Sequence, residues 1–419
     1  MSFRRRQEVI GGTPSGLSPG VNSSRNPVAG GPSRGPPVSP PSRAPLRNTP
    51  HVNPTGPAPG LHNRAANNDM LAQHPGIRPS TITSQPTLST GSADLDRLLT
   101  HEGLPLGNSL LIEENGTTDF SSVLLKVYAA QGIVHNRNAG KLNTHVIVIG
   151  SDQQWGRQLP GVYRGSSKEQ KKNKVATNES KVTVGNINDS NLKIAWRYGL
   201  KKDSPSEEFS DHSQTYPNYQ HAFDITSSLL PAPAANEMSF VSLNVPDYSK
   251  VMLHIQRIIS QHQGKLIRIV LQSFLNPAMY PPQLIQHNQS LNFIKSLRHL
   301  LHNSPNISLV SSINLDLYPR HNALVTMIEM LFDAIIELKP FPPELVQMME
   351  RIYKNQPAKI KQGFLNVLKL PVLSESGLMV IKEMEYCFKN GKKKFEIEEW
   401  SIPIDEEEEE RSTTKDIEF

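Results

Sequence analysis

The sequence predicts an α/β fold: a twisted, mostly parallel sheet flanked by helices, with antiparallel strands at its C-terminal end. Three observations predict it. Two strand-length apolar runs, SLLIEE at 109–114 and THVIVIG at 144–150, bracket a stretch of helical period. Strand, helix and strand in that order imply a parallel crossover. Helical and strand patterns then alternate between residues 248 and 341. Last, residues 379–402 alternate apolar and polar side chains around an Asn-Gly pair, as a hairpin does.

Taken in order, the elements begin near residue 90. Ser92 or Thr90 is placed to cap a short helix bearing Leu95, Leu98 and Leu99. GLPLGN (103–108) is a turn that feeds the strand SLLIEE. Val123, Leu124, Val127 and Tyr128 then recur at helical spacing, which predicts an amphipathic helix ahead of the strand THVIVIG. Residues 164–220 are polar and break the rhythm, so they read as an insertion projecting from the core. Helices over 248–263, 281–303 and 321–332 follow, each leading into a strand: 265–274, 306–317 and 333–341. QGFLNVLKLPVL (362–373) opens the antiparallel end.

Composition divides the 419 residues into three parts. Residues 1–86 hold 16 of the 34 prolines and 10 of the 26 glycines, without a period, which is a composition of disorder. They carry nine arginines against two acids, for +7. Residues 405–419 carry eight acids against two bases, for −6, and 87–404 hold 33 bases and 29 acids, for +4. The expected organisation is a basic Pro/Gly-rich disordered arm (1–86), one α/β domain (87–404) and an acidic disordered tail (405–419). Such an arm and tail suit interaction segments, or simply keep the chain in solution. Cys387 is the only cysteine, which excludes an internal disulfide and a cysteine-based zinc cluster. No apolar run reaches membrane-spanning length. The start MSFRRRQEVIGG has the arginines of a signal peptide without its apolar segment, so a soluble intracellular protein is expected.

The segment from STGSADLDRLL through GLPLGNSLLIEENGTTDFSSVLLKVYAAQG (89–132) resembles the opening of a RecA-type ATPase core. More closely, RPSTITSQPTLSTGSADLD, AAQGIVHNR, LPGVYRGSSKEQKKN, NLKIAWRY, LIRIVLQSFLNPAMYPP and FKNGKKKFEIEEWSIP are similar to the PAXNEB family of Elongator subunits. The likeness spans about residues 77–404. It implies a RecA-like fold and membership of Elongator, which modifies the wobble uridine of certain tRNAs, with a place in cytoplasm and nucleus. It further implies a hetero-hexameric ring with Elongator subunits five and six that binds tRNA beside the catalytic Elongator core. The modifying chemistry belongs to that core, so the resemblance implies a non-catalytic chain with no cofactor.

A phosphate-binding loop needs G-x-x-x-x-G-K-[ST], in which glycines let backbone N–H groups cradle phosphate and the lysine meets its charge. Laid on the RecA pattern, the glycine positions fall on Asn115 and Phe120, and Ser121 stands for the lysine. Ser122 alone keeps its type, as the magnesium hydroxyl. Gln272 and Ser273 stand where a Walker B acid should end its strand. Glu113, Glu114 and Asp119 add negative charge where a triphosphate needs positive potential. Asp119 is expected to cap the helix through the N–H of Ser121 or Ser122. Hydrolysis by the chain alone is therefore not expected. His299 and His302, at i and i+3 without a third ligand nearby, read as a solvated helix face and not a metal site.

Arg164, Lys168, Lys171, Lys172 and Lys174 form the densest basic run of the domain and are the candidates for tRNA phosphate contact. Tyr163, Trp196 and Tyr198 are candidates for stacking on unpaired bases. The other reading is a solvated charge run above core aromatics. A second basic patch, Lys389, Lys392, Lys393 and Lys394, ranks lower because hairpin tips carry charge routinely. Two further functions stay open: an ATPase whose site is completed by neighbouring ring subunits, and a RecA-like single-stranded DNA-binding protein.

Overall fold

The computed structural model describes residues 74–163, 165, 216–245, 247–372 and 385–401. β1 (Ile77–Pro79), β2 (Pro86–Leu88) and β3 (Leu104–Pro105) form a small antiparallel sheet, with α1 (Ala93–Leu98) between its last two strands. Ser92 caps α1, as expected, by accepting from the Leu95 N–H. The boundary expected at residue 86 falls inside folded structure. Ile77 is buried, and the His74 ring lies 2.9 Å from the Thr144 hydroxyl.

The main sheet begins with β4 (Ser109–Glu114) and β5 (Thr144–Ile149). β6 (Pro160–Val162) and β7 (Phe223–Ser228) then form a separate antiparallel pair. β8 (Met238–Val241), β9 (Leu266–Phe274), β10 (Ile307–Asn314) and β11 (Ala334–Pro340) return to the main sheet. These strands run parallel in the order β8-β5-β9-β10-β4-β11. β12 (Gly363–Lys369), β13 (Tyr386–Asn390) and β14 (Phe395–Glu399) extend the β11 side as antiparallel strands. This is the α/β architecture that the sequence predicts, and its mostly parallel sheet is compatible with a RecA-like fold. The short β8, at the sheet edge, carries no period that predicts it.

Helices cover both faces. α2 (Phe120–Ala139) lies on one, with the small sheet, while the short α3 (Gln153–Arg157) follows β5. α4 (Tyr248–Gln261), α5 (Pro282–Ile285), α6 (His287–Asn303) and α7 (Ala323–Leu331) pack on the other; α8 (Pro343–Ile352) follows β11. Strand side chains alternate between the two layers. Leu110, Ile112, Val146 and Val148 face α2, whereas Leu111, Ile147 and Ile149 face the other helices. Burial on both faces is why these strands are apolar throughout. Each fully buried Leu or Ile contributes about 1.5–3 kcal/mol. The single helix expected over 281–303 is split at Gln286, whose backbone is extended (φ −58°, ψ 137°).

The amphipathic helix expected after the loop is corrected by the structure. From Val127 to Asn136 every residue of α2 is buried, because the small sheet and the segment around Tyr219 cover its outer side. Arg268 on β9 reaches beneath α2 and donates to the carbonyls of Ser89 and Tyr128, both at 3.0 Å. Gly132 makes room for it: a Cβ there would stand 2.8 Å from Arg268 Cδ. Asp96, fully buried in the same layer, accepts from Ser89, Thr90 and Gln220.

Candidate functional site

The loop between β4 and α2 is the position where a RecA-type core would hold phosphate. Gly116 turns the chain with φ +85°, and its N–H donates to Asp316 at 3.0 Å. The Asn115 amide donates to Glu337 at 2.7 Å, so the first glycine position is a tether to β11. Phe120, at the second, sets its ring edge-on against Phe388 of β13, centroids 4.9 Å apart. Room for Phe388 is in turn kept by Gly363, where a Cβ would stand 2.6 Å from the Phe388 ring.

At the head of α2 the donors that would face phosphate are already taken. Glu114 Oε1 accepts from the Phe120 N–H at 2.7 Å and the Thr118 hydroxyl at 2.8 Å. Its Oε2 accepts from the Ser121 N–H at 3.2 Å and the Ser121 hydroxyl at 2.6 Å. A carboxylate at the positive end of a helix is favoured by the same field that would draw phosphate. The expected Asp119 cap is thus corrected: Asp119 makes no side-chain capping bond, and Glu114 supplies the acceptor. Ser121, at the lysine position, and Ser122 are both buried.

Glu113 points to the opposite layer, as strand alternation requires. It is fully buried and paired with Arg320, which also lies 3.1 Å from Glu329 and 3.6 Å from Glu337. Burial first, and then Glu329, push the Glu113 carboxyl up to about 7 against the pull of Arg320. Burial also opposes ionisation of Glu337, yet bonds from Asn366 and Asn115 and the charge of Arg320 hold its pKa below the usual value. One guanidinium shared by three carboxylates leaves this side of β4 and β11 acidic.

Gln272 lies elsewhere. β10 separates its strand, β9, from β4. Gln272 Oε1 accepts from the Ser151 hydroxyl at 2.8 Å, and its carbonyl accepts from the Tyr280 hydroxyl. No hydrogen bond joins it to residues 115–122 among the described residues. The next residue, Ser273, has a left-handed backbone (φ +44°) and donates its N–H to the Ser312 hydroxyl. The structure therefore gathers Asn115, Phe120, Ser121 and Ser122 around Glu114 and leaves Gln272 two strands away. Arg320 gave no sequence signal, because it meets Glu113 across 207 positions. Glu114 showed only as an acid at a strand end.

Among the RNA candidates, Arg164, Lys168, Lys171, Lys172, Lys174, Trp196 and Tyr198 lie outside the described residues. Tyr163 stands at the end of β6, where its N–H donates to the Ala222 carbonyl at 2.8 Å. Lys389 is paired with Glu396 at 2.7 Å. His299 and His302 engage Asn303 and Arg298 respectively.

Comparison with known proteins adds family information to this geometry. The profile of the PAXNEB protein family matches residues 70–418. Elongator complex protein 4 of Saccharomyces cerevisiae is 41% identical over 97% of this chain and 93% of its own length. Its Schizosaccharomyces pombe namesake is 28% identical, over 80% of this chain and 90% of that protein. The Homo sapiens protein of the same name is 25% identical, over 79% and 80%.

Proposed function

Because the chain belongs to the PAXNEB family, we propose that it is a non-catalytic, structural and tRNA-binding subunit of Elongator. It acts with subunits five and six in a hetero-hexameric RecA-like ring that supports wobble-uridine modification by the catalytic core, in cytoplasm and nucleus. The observation that carries the non-catalytic part is Glu114 at the head of α2, where an attached carboxylate holds the donors a phosphate would need. No lysine is present in the loop to outbid it. An exposed apolar surface supports assembly: Met327 and Met330 on α7 and Leu368 on β12 are exposed. Lys369, which donates to the carbonyl of Glu329, brings the end of β12 beside α7.

Nucleotide binding and turnover, measured on the isolated chain and on the ring with its sister subunits, test the reading. No magnesium-dependent hydrolysis should come from the isolated chain, and Ser122→Ala in this subunit should leave turnover by the ring unchanged. Turnover by the isolated chain, or ring turnover abolished by Ser122→Ala, overturns the non-catalytic assignment. Retention of tRNA by the ring, with single-stranded DNA as competitor, tests the ligand.

A further inference from the structure

Tyr163 and the tip of the β13–β14 hairpin, far apart in sequence, meet in the fold. β13 and β14 join through a tight turn closed by the Gly391 N–H donating to the Lys394 carbonyl at 2.9 Å. The Lys393 carbonyl accepts from the Ile225 N–H at 2.8 Å, which ties the tip to β7. β7 pairs with β6, and Tyr163 follows β6 directly. Its ring centroid lies 4.1 Å from the Lys394 ammonium and 5.6 Å from that of Lys393. Lys393 and Lys394 thus sit against Tyr163, at the end of β6.

The local charge is unbalanced. Lys389, on the same hairpin, is neutralised by Glu396, and Lys361 pairs with Glu398. Lys392, Lys393 and Lys394 have no ion-pair partner among the described residues. The hydroxyl and N–H of Thr226, and then the charge of Lys393, hold the Asp224 carboxyl on the neighbouring β7 below the usual range, so one acid faces three lysines. Three successive ammonium groups repel one another, and the backbone tie and the tyrosine face hold two of them on one side. A regularly spaced polyanion relieves that repulsion and releases its own counterions on binding.

We infer that Lys392, Lys393 and Lys394, the last two set against the Tyr163 ring, form a binding surface for the RNA sugar–phosphate backbone and a second tRNA contact of this subunit. The inference rests on the proposed tRNA-binding role and goes beyond it by assigning residues outside the 164–174 run. The lysines contact phosphates as point charges, so the surface is indifferent to sequence. Tyr163 positions two of them.

The test uses the full chain in its assembly with the sister subunits, and bulk tRNA as probe at two salt concentrations. Replacing Lys392, Lys393 and Lys394 together by glutamine should weaken binding on the order of tenfold at low salt and reduce the log–log salt slope by about 2. Tyr163→Ala should weaken binding a few-fold at nearly unchanged slope, with Tyr163→Phe close to wild type. Lys389→Gln should leave affinity and slope unchanged. An intact triple-variant assembly with unchanged affinity and slope overturns the inference and leaves the tRNA-binding role standing. A wild-type assembly that retains no tRNA overturns both. Loss of polyglutamate binding with tRNA binding intact would assign the surface to an acidic protein segment and also overturn it.

Discussion

The head of α2 and the tip of the β13–β14 hairpin treat charge in opposite ways. At the first, the donors of Thr118, Phe120 and Ser121 are matched by Glu114, and Glu113 is matched by Arg320. At the second, Lys393 and Lys394 are held against Tyr163, and the three lysines form no ion pair among the described residues, with Asp224 acting on Lys393 through its field alone. The loop that resembles a phosphate site is filled by the chain's own acid, while the hairpin turn leaves its lysines unpaired by any salt bridge among the described residues. A phosphate loop can be recognised by motif, but its occupancy is decided by which side chain reaches the helix first.

Removing the acid should have the largest effect. Glu114→Ala leaves four donors without their charged acceptor, a loss of about 2–4 kcal/mol in folding free energy. Urea unfolding measures it, and formate should restore part of the loss in the variant while leaving wild type unchanged. A variant as stable as wild type would break the comparison at its first term. Even this variant should not hydrolyse ATP, because the lysine and the Walker B acid remain absent.

Next comes Arg320→Ala, which strands Glu113 beside Glu329 and Glu337. Breaking such a pair costs about 2 kcal/mol near pH 8, once the partial exposure of Arg320 is taken into account. The pH dependence has a definite sign. The carboxyl of Glu113 titrates at about 7 in the folded chain against an ordinary 4.5. Its contribution to stability is therefore complete below pH 4.5 and is lost as pH rises through 7. Wild-type stability should carry that decline, and Glu113→Gln should flatten it. The cost of Arg320→Ala should likewise shrink as pH falls toward 5. A pH-independent penalty would mean that Glu113 does not take up the proton.

The smallest effect belongs to the hairpin. Neutralising Lys392, Lys393 and Lys394 to glutamine should shift stability by less than about 1 kcal/mol, because only exposed contacts with the Tyr163 ring and the field of Asp224 are lost. A thermal melt settles it. A loss of 2 kcal/mol or more would show that these lysines serve the fold and not a partner.

Much of this molecule is legible where the determining contacts are local. β4, β5 and β9 to β11 announce themselves because both faces are buried, which forces apolar residues at successive positions. The missing lysine at Ser121 is equally plain, since the loop motif is contiguous. α2 is misread because its covering layer comes from distant sequence: Gln131 bonds the Tyr219 carbonyl, 88 positions away. Its Ala129, Ala130 and Gly132 are small because the packing is close, a reason no helical period encodes. Asp119 was the natural cap by spacing, yet the carboxylate that caps comes from the strand before the turn. The convergence of Tyr163 with Lys393 and Lys394 is invisible in sequence for the same reason.

The enclosure of α2 also has a kinetic consequence. A helix wrapped on every side from Val127 to Asn136 can expose its amides only when the surrounding layers come apart, so those amides should be among the slowest to exchange with heavy water. Nucleotide-driven machines carry signals by letting the element behind the phosphate loop slide or tilt. Here that element is enclosed, so a displacement of the helix behind the loop requires the covering layers to move with it.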